Sequence, residues 1–402
     1  MQHGTRGGAT MGRTIGWEVR MKIVVVLTVA LMVPLLLAAA QTKPGPSRAE
    51  VEAQMGLRSE GDMVRGQLDT VGFVVTADQA NDVLARALAD EREGLEADRK
   101  ALDGRRVAAV VCPHDDHLYA ARVYVHATEL VDAPHVIMVG VFHRAKLWGL
   151  SDVLVFDRFT AWHGPWGPVR TDPLRQELLD GLPAGDAIVN DTMHCREHSL
   201  EAIVPFLEHR DPKFEIVPIL VPYMGWERMD RLADDLSGVL AAAMRRHGWR
   251  LGRDVAIVVS TDLVHYGPDF GHAPFGTDGE AYRKAVARDH ALIHDHLEGP
   301  LDGARLRSLL HALTDEKDVH RYLIPWCGRF SVPFGLDLLR RTAGRLGEPA
   351  PEGRLLRYGT SISEAELAVS EATRKAGLGY TAPSNFHHWV GYGAMAFTLP
   401  GS

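Results

Sequence analysis

Three cysteines in 402 residues, at positions 112, 195 and 327, are too few and too odd in number for a disulfide framework in an exported chain of this size. At least one thiol is therefore free or a ligand. Positive charge is also short: 44 Lys and Arg stand against 52 Asp and Glu, a formal net charge of −8. Nucleic-acid binding needs clustered cations facing phosphates, so no nucleic-acid partner is expected. No repeat of fixed period, low-complexity tract or Pro/Gly/Ser linker interrupts residues 65–402, which read as one domain. At 46% hydrophobic and 24% charged, the chain can bury a large core.

The long apolar run lies at the N-terminus. Arg20-Met21-Lys22 precedes Ile23 to Ala40, which contains Pro34 and ends in Ala38-Ala39-Ala40 before a polar stretch. A basic segment, an apolar run and small residues in that order are the layout of a signal peptide, with Met21 as an alternative start. The run is just long enough to span a bilayer, so an uncleaved anchor is the second reading. The expected location is outside the cytoplasm, periplasmic or secreted, with membrane contact only if the anchor is kept. Residues 41–64 read as a linker and 65–402 as the folded domain.

Beyond the linker, strand and helix patterns alternate. Buried strands are expected at 107–112, 135–141, 152–157, 215–221 and 255–260. Helices are expected near 119–130, 172–181, 199–208, 227–247 and 277–297, after one behind a Thr76 or Asp78 cap. This order predicts an α/β fold with a largely parallel central sheet flanked by helices.

Ligands in such folds collect outside the carboxyl ends of strands, so the residues that stop each apolar run matter. Val107 to Cys112 stops at Pro113-His114-Asp115-Asp116-His117. His and Asp there suit a cation, and equally suit turns and helix caps. The run from Val136 ends at His143, with Gly140 permitting close backbone approach. Ser260-Thr261-Asp262 leads to His265 three residues on. If the strand turns into a helix, Asp262 shares a face with His265 and can fix its tautomer for acid/base work. The alternative is an Asx turn beside a surface histidine. In His194-Cys195-Arg196-Glu197-His198-Ser199-Leu200-Glu201, the residues Glu197, His198 and Glu201 fall within one helical turn. Part of that cluster also suits an N-cap and a first-turn acid. Cys327, before an apolar helix from Val332 to Leu339, reads on its own as a small buried hydrophobe.

In order, Pro113-His114, Val139-Gly140-x-x-His143, His194-x-x-Glu197-His198-Ser199-Leu200-Glu201-x-x-x-Pro205-Phe206-Leu207, Ser260-Thr261-Asp262-x-x-His265-Tyr266-Gly267 and Cys327-Gly328-Arg329 resemble the Memo family. That family includes the AmmeMemoRadiSam system protein B group and shares the fold of LigB-type class III extradiol dioxygenases. The resemblance runs from about Arg65 to Phe397 and implies a metal site on His114, His143 and Cys327, reversing the bland reading of Cys327. It also implies Asp262, His265, Glu197 and His198 beside that site. The family usually reads Pro-His-Ala-Gly-Tyr, whereas this chain has Asp115, Asp116 and His117. With His194, these are additional candidate site residues. Val141 and Phe142 stand where relatives often have a proline and a serine.

Two imidazoles and a thiolate leave open positions on a bound ion and suit copper, the resemblance to extradiol dioxygenases implies iron, and zinc is a third choice. The resemblance thus implies a mononuclear metal oxidoreductase related to those dioxygenases and acting on a small molecule, with His265, oriented by Asp262, as acid/base. A copper- or iron-binding protein without turnover, or a zinc hydrolase with Glu197 as base, are the alternatives.

Overall fold

The structure, a computed structural model, describes residues 63–401. The expected signal segment, and all but the last two residues of the expected linker, lie outside the described residues. Val64–Arg65 is a short strand paired in parallel with Ala161–Trp162. Among the described residues no helix is long and apolar enough to cross a membrane.

Among the described residues the main sheet contains ten strands: β1 (Arg105–Cys112), β2 (His135–Val141), β3 (Leu154–Phe156), β4 (Ala187–Val189), β5 (Glu215–Val221), β6 (Val255–Ser260), β7 (His265–Tyr266), β8 (Gly299–Pro300), β9 (Glu352–Thr360) and β10 (Trp389–Pro400). Their spatial order is β8-β9-β10-β1-β6-β2-β5-β3-β4, and β7 pairs with β10. The neighbours β1, β6, β2 and β5 run parallel. Nearly every side chain in them is buried, as continuous Val/Ile/Ala runs require when both faces are covered. One flank is the antiparallel set β8, β9 and β10.

Alternation along β2 shows how the two faces are covered. A Cβ on Gly335, in the helix Ser331–Arg345, would meet Val259 Cγ2 at 2.6 Å and Val139 Cγ1 at 3.4 Å. The adjacent Gly140 points to the other face. There a Cβ would meet Leu200 Cγ at 2.7 Å, so the expected close approach at Gly140 is present. Helix Trp226–His247 packs beside the Ser331–Arg345 helix, burying Met229, Leu232, Ala233, Leu236, Leu240 and Met244 at i, i+3, i+4 spacing, and stops at Gly248 in the left-handed region. Helix His117–Thr128 packs beside the 199–203 turns, His117 Nε2 lying 2.9 Å from the Ala202 carbonyl.

The expected helix at 199–208 is a correction. Residues 199–203 form turns and the helix spans Val204–Arg210, because the amides of His198 and Ser199 donate to Glu197 Oε1 instead of entering a helical ladder. None of the three cysteines, all among the described residues, forms a disulfide.

His126 bonds Asp98 at 2.5 Å and Glu91 at 3.0 Å, tying Arg92–Ala101 to the helix on the sheet. Burial opposes its charge, yet the two carboxylates raise its pKa above the ordinary histidine value. Glu91 is penalised by burial too, but its bonds to His126 and Arg357 hold it at about 2. With unfolded values near ~6.5 and ~4.3, the His126 contribution is complete below ~6.5 and is lost as pH rises through the higher folded value. The Glu91 contribution is lost only as pH falls from ~4.3 towards its folded value. His126→Gln is therefore expected to lower the denaturation midpoint more at about pH 6 than at about pH 9. Equal losses at both would contradict this.

Candidate metal centre

β1, β6 and β2 are adjacent and parallel, with Cys112 opposite Ser260 and Val139 opposite Val259. Their carboxyl ends consequently release Pro113-His114, Thr261-Asp262 and Phe142-His143 at one edge of the sheet. Cys327 arrives from the loop before helix Ser331–Arg345. That loop is pinned at Trp326, fully buried, whose Nε1 donates to Asp289 Oδ1 at 2.9 Å. Gly328 is required there: its amide donates to Thr261 Oγ1 at 2.9 Å, and a Cβ would sit 2.3 Å from that side chain.

One donor atom each from His114, His143 and Cys327 lie within 4.8 Å of one another, and His143 Nε2 is 3.3 Å from Cys327 Sγ. A common point within roughly 3 Å of all three exists, near enough to Zn–N and Zn–S bond lengths of about 2.0–2.3 Å for small rotations to close. The residues fit an ion in a second way. His114 is 1% exposed, and its Nε2 makes no hydrogen bond among the described residues, the nearest carboxylate oxygen, Asp262 Oδ2, lying 3.2 Å away outside hydrogen-bonding geometry. A buried nitrogen left so is costly unless something binds it. Burial and the neighbouring imidazoles of His143, His198 and His265 hold His114 well below the ordinary pKa, so the ring is neutral and its lone pair available.

Glu197 positions His143. It accepts from the His143 amide at 2.7 Å and ring Nδ1 at 2.8 Å, and from the amides of His198 and Ser199 at 2.9 Å. Burial penalises this carboxylate, but His143 and these donors hold it at about 2. With both oxygens engaged, Glu197 orients the His143 ring, the arrangement carboxylates make behind metal-bound histidines, and is not free as the base of a hydrolase. Burial disfavours charge on His143, and Glu197 outweighs it, raising the pKa. Burial pushes the Cys327 thiol up.

His265 Nε2 is 3.5 Å from Cys327 Sγ. Burial opposes its charge, but the Cys327 sulfur raises its pKa. The expectation that Asp262 orients His265 is corrected. His265 begins β7 and no helix joins it to Asp262, so the shared face is lost; its Nδ1 meets the Leu263 carbonyl at 3.2 Å. Asp262 turns to His114 instead, accepting its amide at 2.9 Å, with Oδ2 3.2 Å from Nε2. Burial and Asp115 push Asp262 up to about 8.

His114, His143, His198, Asp262, His265, Cys327, Asp115 and Asp116 all border one cavity of about 470 Å³. His198 faces it with Nδ1 on Asp69 at 2.8 Å. Asp115 accepts from Tyr392 at 2.7 Å, and Asp116 from the Thr381 amide at 2.5 Å; burial and Asp115 push Asp116 up to about 7. Two additional candidates lie elsewhere. His117 is fully buried with Nδ1 accepting from the Val74 amide at 3.1 Å and Nε2 on Ala202, so both nitrogens serve packing. His194 donates to the Val155 carbonyl at 3.0 Å beside Trp162. Glu201 pairs with the buried Arg65 at 2.5 Å, a structural bond fastening the Glu197 segment. Sequence reasoning missed Asp69, Phe73, Phe270, Tyr322 and Thr381 on the cavity wall. None ends a buried parallel strand, the one signal used.

The chain is 30% identical over 166 residues to a MEMO1 family protein of Methanothermobacter thermautotrophicus, covering 41% of this chain and 56% of that protein. It is 28% identical over 290 residues to one of Thermococcus kodakarensis, covering 69% and 86%, and 27% identical over 272 residues to one of Pyrococcus abyssi, covering 65% and 82%. The chain thus spans little more than half of the first and most of the other two. The Memo-like protein family matches residues 78–375, a stretch containing every residue of the His114, His143 and Cys327 centre, and the chain belongs to that family.

Proposed function

We propose that this chain is an exported mononuclear metal oxidoreductase acting on a small molecule, with His114, His143 and Cys327 holding iron or copper. The observation that carries the reading is the buried Nε2 of His114, which makes no hydrogen bond among the described residues, beside two further donors on the wall of a ligand-sized cavity. A redox ion held by two imidazoles and a thiolate supplies electron transfer and open coordination positions.

The protein's own groups supply the rest. With Nδ1 turned to the Leu263 carbonyl, His265 offers Nε2 to the cavity to take or return a substrate proton. His198, anchored through Nδ1 to Asp69, offers a second such nitrogen. Phe73, Phe270 and Tyr322 give flat apolar walls that suit a planar substrate and limit water.

Oxygen uptake by iron- and by copper-loaded protein with catechol-type and thiol substrates tests this. Uptake well above that of the free ion is expected, whereas none above it would favour a second reading. In that reading the same soft donor set holds copper without turnover.

A further inference from the structure

His114 can offer a metal only one nitrogen, and the choice is made on the other side of the ring. Its Nδ1 lies 2.7 Å from Ser260 Oγ, and that hydroxyl lies 2.6 Å from the Ser199 carbonyl. A serine hydroxyl has one proton, and a carbonyl only accepts. The Ser260 proton is therefore committed to Ser199, and its oxygen accepts from His114 Nδ1–H. That leaves Nε2 without a proton, and Nε2 makes no hydrogen bond among the described residues: Asp262 Oδ2, 3.2 Å away, lies outside hydrogen-bonding geometry.

Both serines are completely buried, so water does not compete for these bonds. Each also touches the support of another ligand. The Ser260 carbonyl accepts from Ser331 Oγ at 2.9 Å, at the start of the helix behind Cys327. The Ser199 amide donates to Glu197 Oε1 at 2.9 Å, the oxygen that holds the His143 ring. Ser199 Oγ donates to the Val141 carbonyl at 2.8 Å, fixing the segment to the end of β2.

We propose that Ser260, with the Ser199 carbonyl as its fixed acceptor, is a positioning residue that locks His114 in the Nδ1–H tautomer and so presents Nε2 as the donor. The proposal rests on the metal-centre reading above. It gives the buried Ser260 hydroxyl, which also ties its strand to the Ser199 carbonyl, a role at the centre.

The test uses the full chain, ¹⁵N-labelled, with cobalt(II) as the probe ion and Ser260→Ala and Ser260→Thr as variants. In the metal-free wild type, long-range ¹H–¹⁵N spectra should show His114 protonated at Nδ1 and bare at Nε2. Ser260→Ala should lose that preference and bind cobalt about 10–100-fold more weakly, the usual cost of removing an outer-shell partner, read from the thiolate-to-cobalt absorption. Ser260→Thr, which keeps the hydroxyl, should restore the tautomer and most of the affinity, separating the effect from loss of fold. A wild-type His114 protonated at Nε2, or a Ser260→Ala protein with unchanged tautomer and affinity, overturns the proposal. If wild type shows the expected tautomer but takes up no cobalt, iron or copper, the metal-centre reading fails and the tautomer lock stands.

Discussion

His143→Ala and Cys327→Ser should each abolish stoichiometric binding of iron or copper, weakening affinity beyond the roughly 10–100-fold that an outer-shell change costs. The reason is geometric. His143 Nε2 and Cys327 Sγ are 3.3 Å apart, and they are the two donors that converge with the His114 nitrogen in the proposed trio. The remaining pair leaves an ion on two ligands. Neither change opens a large void, since the His143 side chain is 30% exposed and Cys→Ser is nearly isosteric. The metal-free thermal midpoint should stay near wild type in Cys327→Ser and fall in His143→Ala, which leaves the buried Glu197 without its ring partner, and both variants should lack the stabilisation that metal addition gives wild type. Metal content by elemental analysis after anaerobic loading checks this. One equivalent retained in both variants would remove the trio from consideration.

His265→Gln should lower turnover, with whichever catechol-type or thiol substrate supports oxygen uptake, by roughly 10²–10⁴-fold. Metal content should stay at one equivalent. Gln preserves much of the ring's volume but cannot exchange a proton near neutral pH. His265 borders the cavity and its Nδ1 is engaged by Leu263, so Nε2 is the group lost. The outcome also separates two arrangements of the same atoms, because Asp262, His265 and Cys327 likewise offer one donor each within 4.8 Å. If His265→Gln strips the ion, His265 is a ligand and the acid/base assignment falls. Unchanged turnover would contradict its proton-transfer role as well.

Much of the framework was legible because buried parallel strands advertise themselves. Residues 135–141, 215–221 and 255–260 are strands over the expected spans, since Val/Ile runs covered on both faces have few other ways to fold. Gly140 signalled a close approach, which Leu200 makes. β9 and β10 went unread. β10 is an apolar run punctuated by Gly391 and Gly393, a pattern that does not separate strand from buried helix, and β9 carries Arg354 and Arg357 among its apolar residues.

At the site, strand ends pointed to His114 and His143, whereas Cys327 emerged only from the family resemblance, because a thiol in a loop carries no periodic signal. The Asp262–His265 spacing misled. Sequence separation gives a shared face only if the helix exists, and β7 pairing with β10 pre-empts it. Asp69 lies nearly 130 residues from His198, and nothing local marks such a partner.

The most direct test of the centre is X-ray absorption at the metal edge of wild-type protein loaded anaerobically with one equivalent of iron or copper. Cys327 and the two histidines predict one sulfur scatterer near ~2.3 Å and imidazole nitrogens near ~2.0–2.1 Å, with the sulfur shell absent in any ion retained by Cys327→Ser. A shell of oxygen and nitrogen alone in the wild type would contradict the centre.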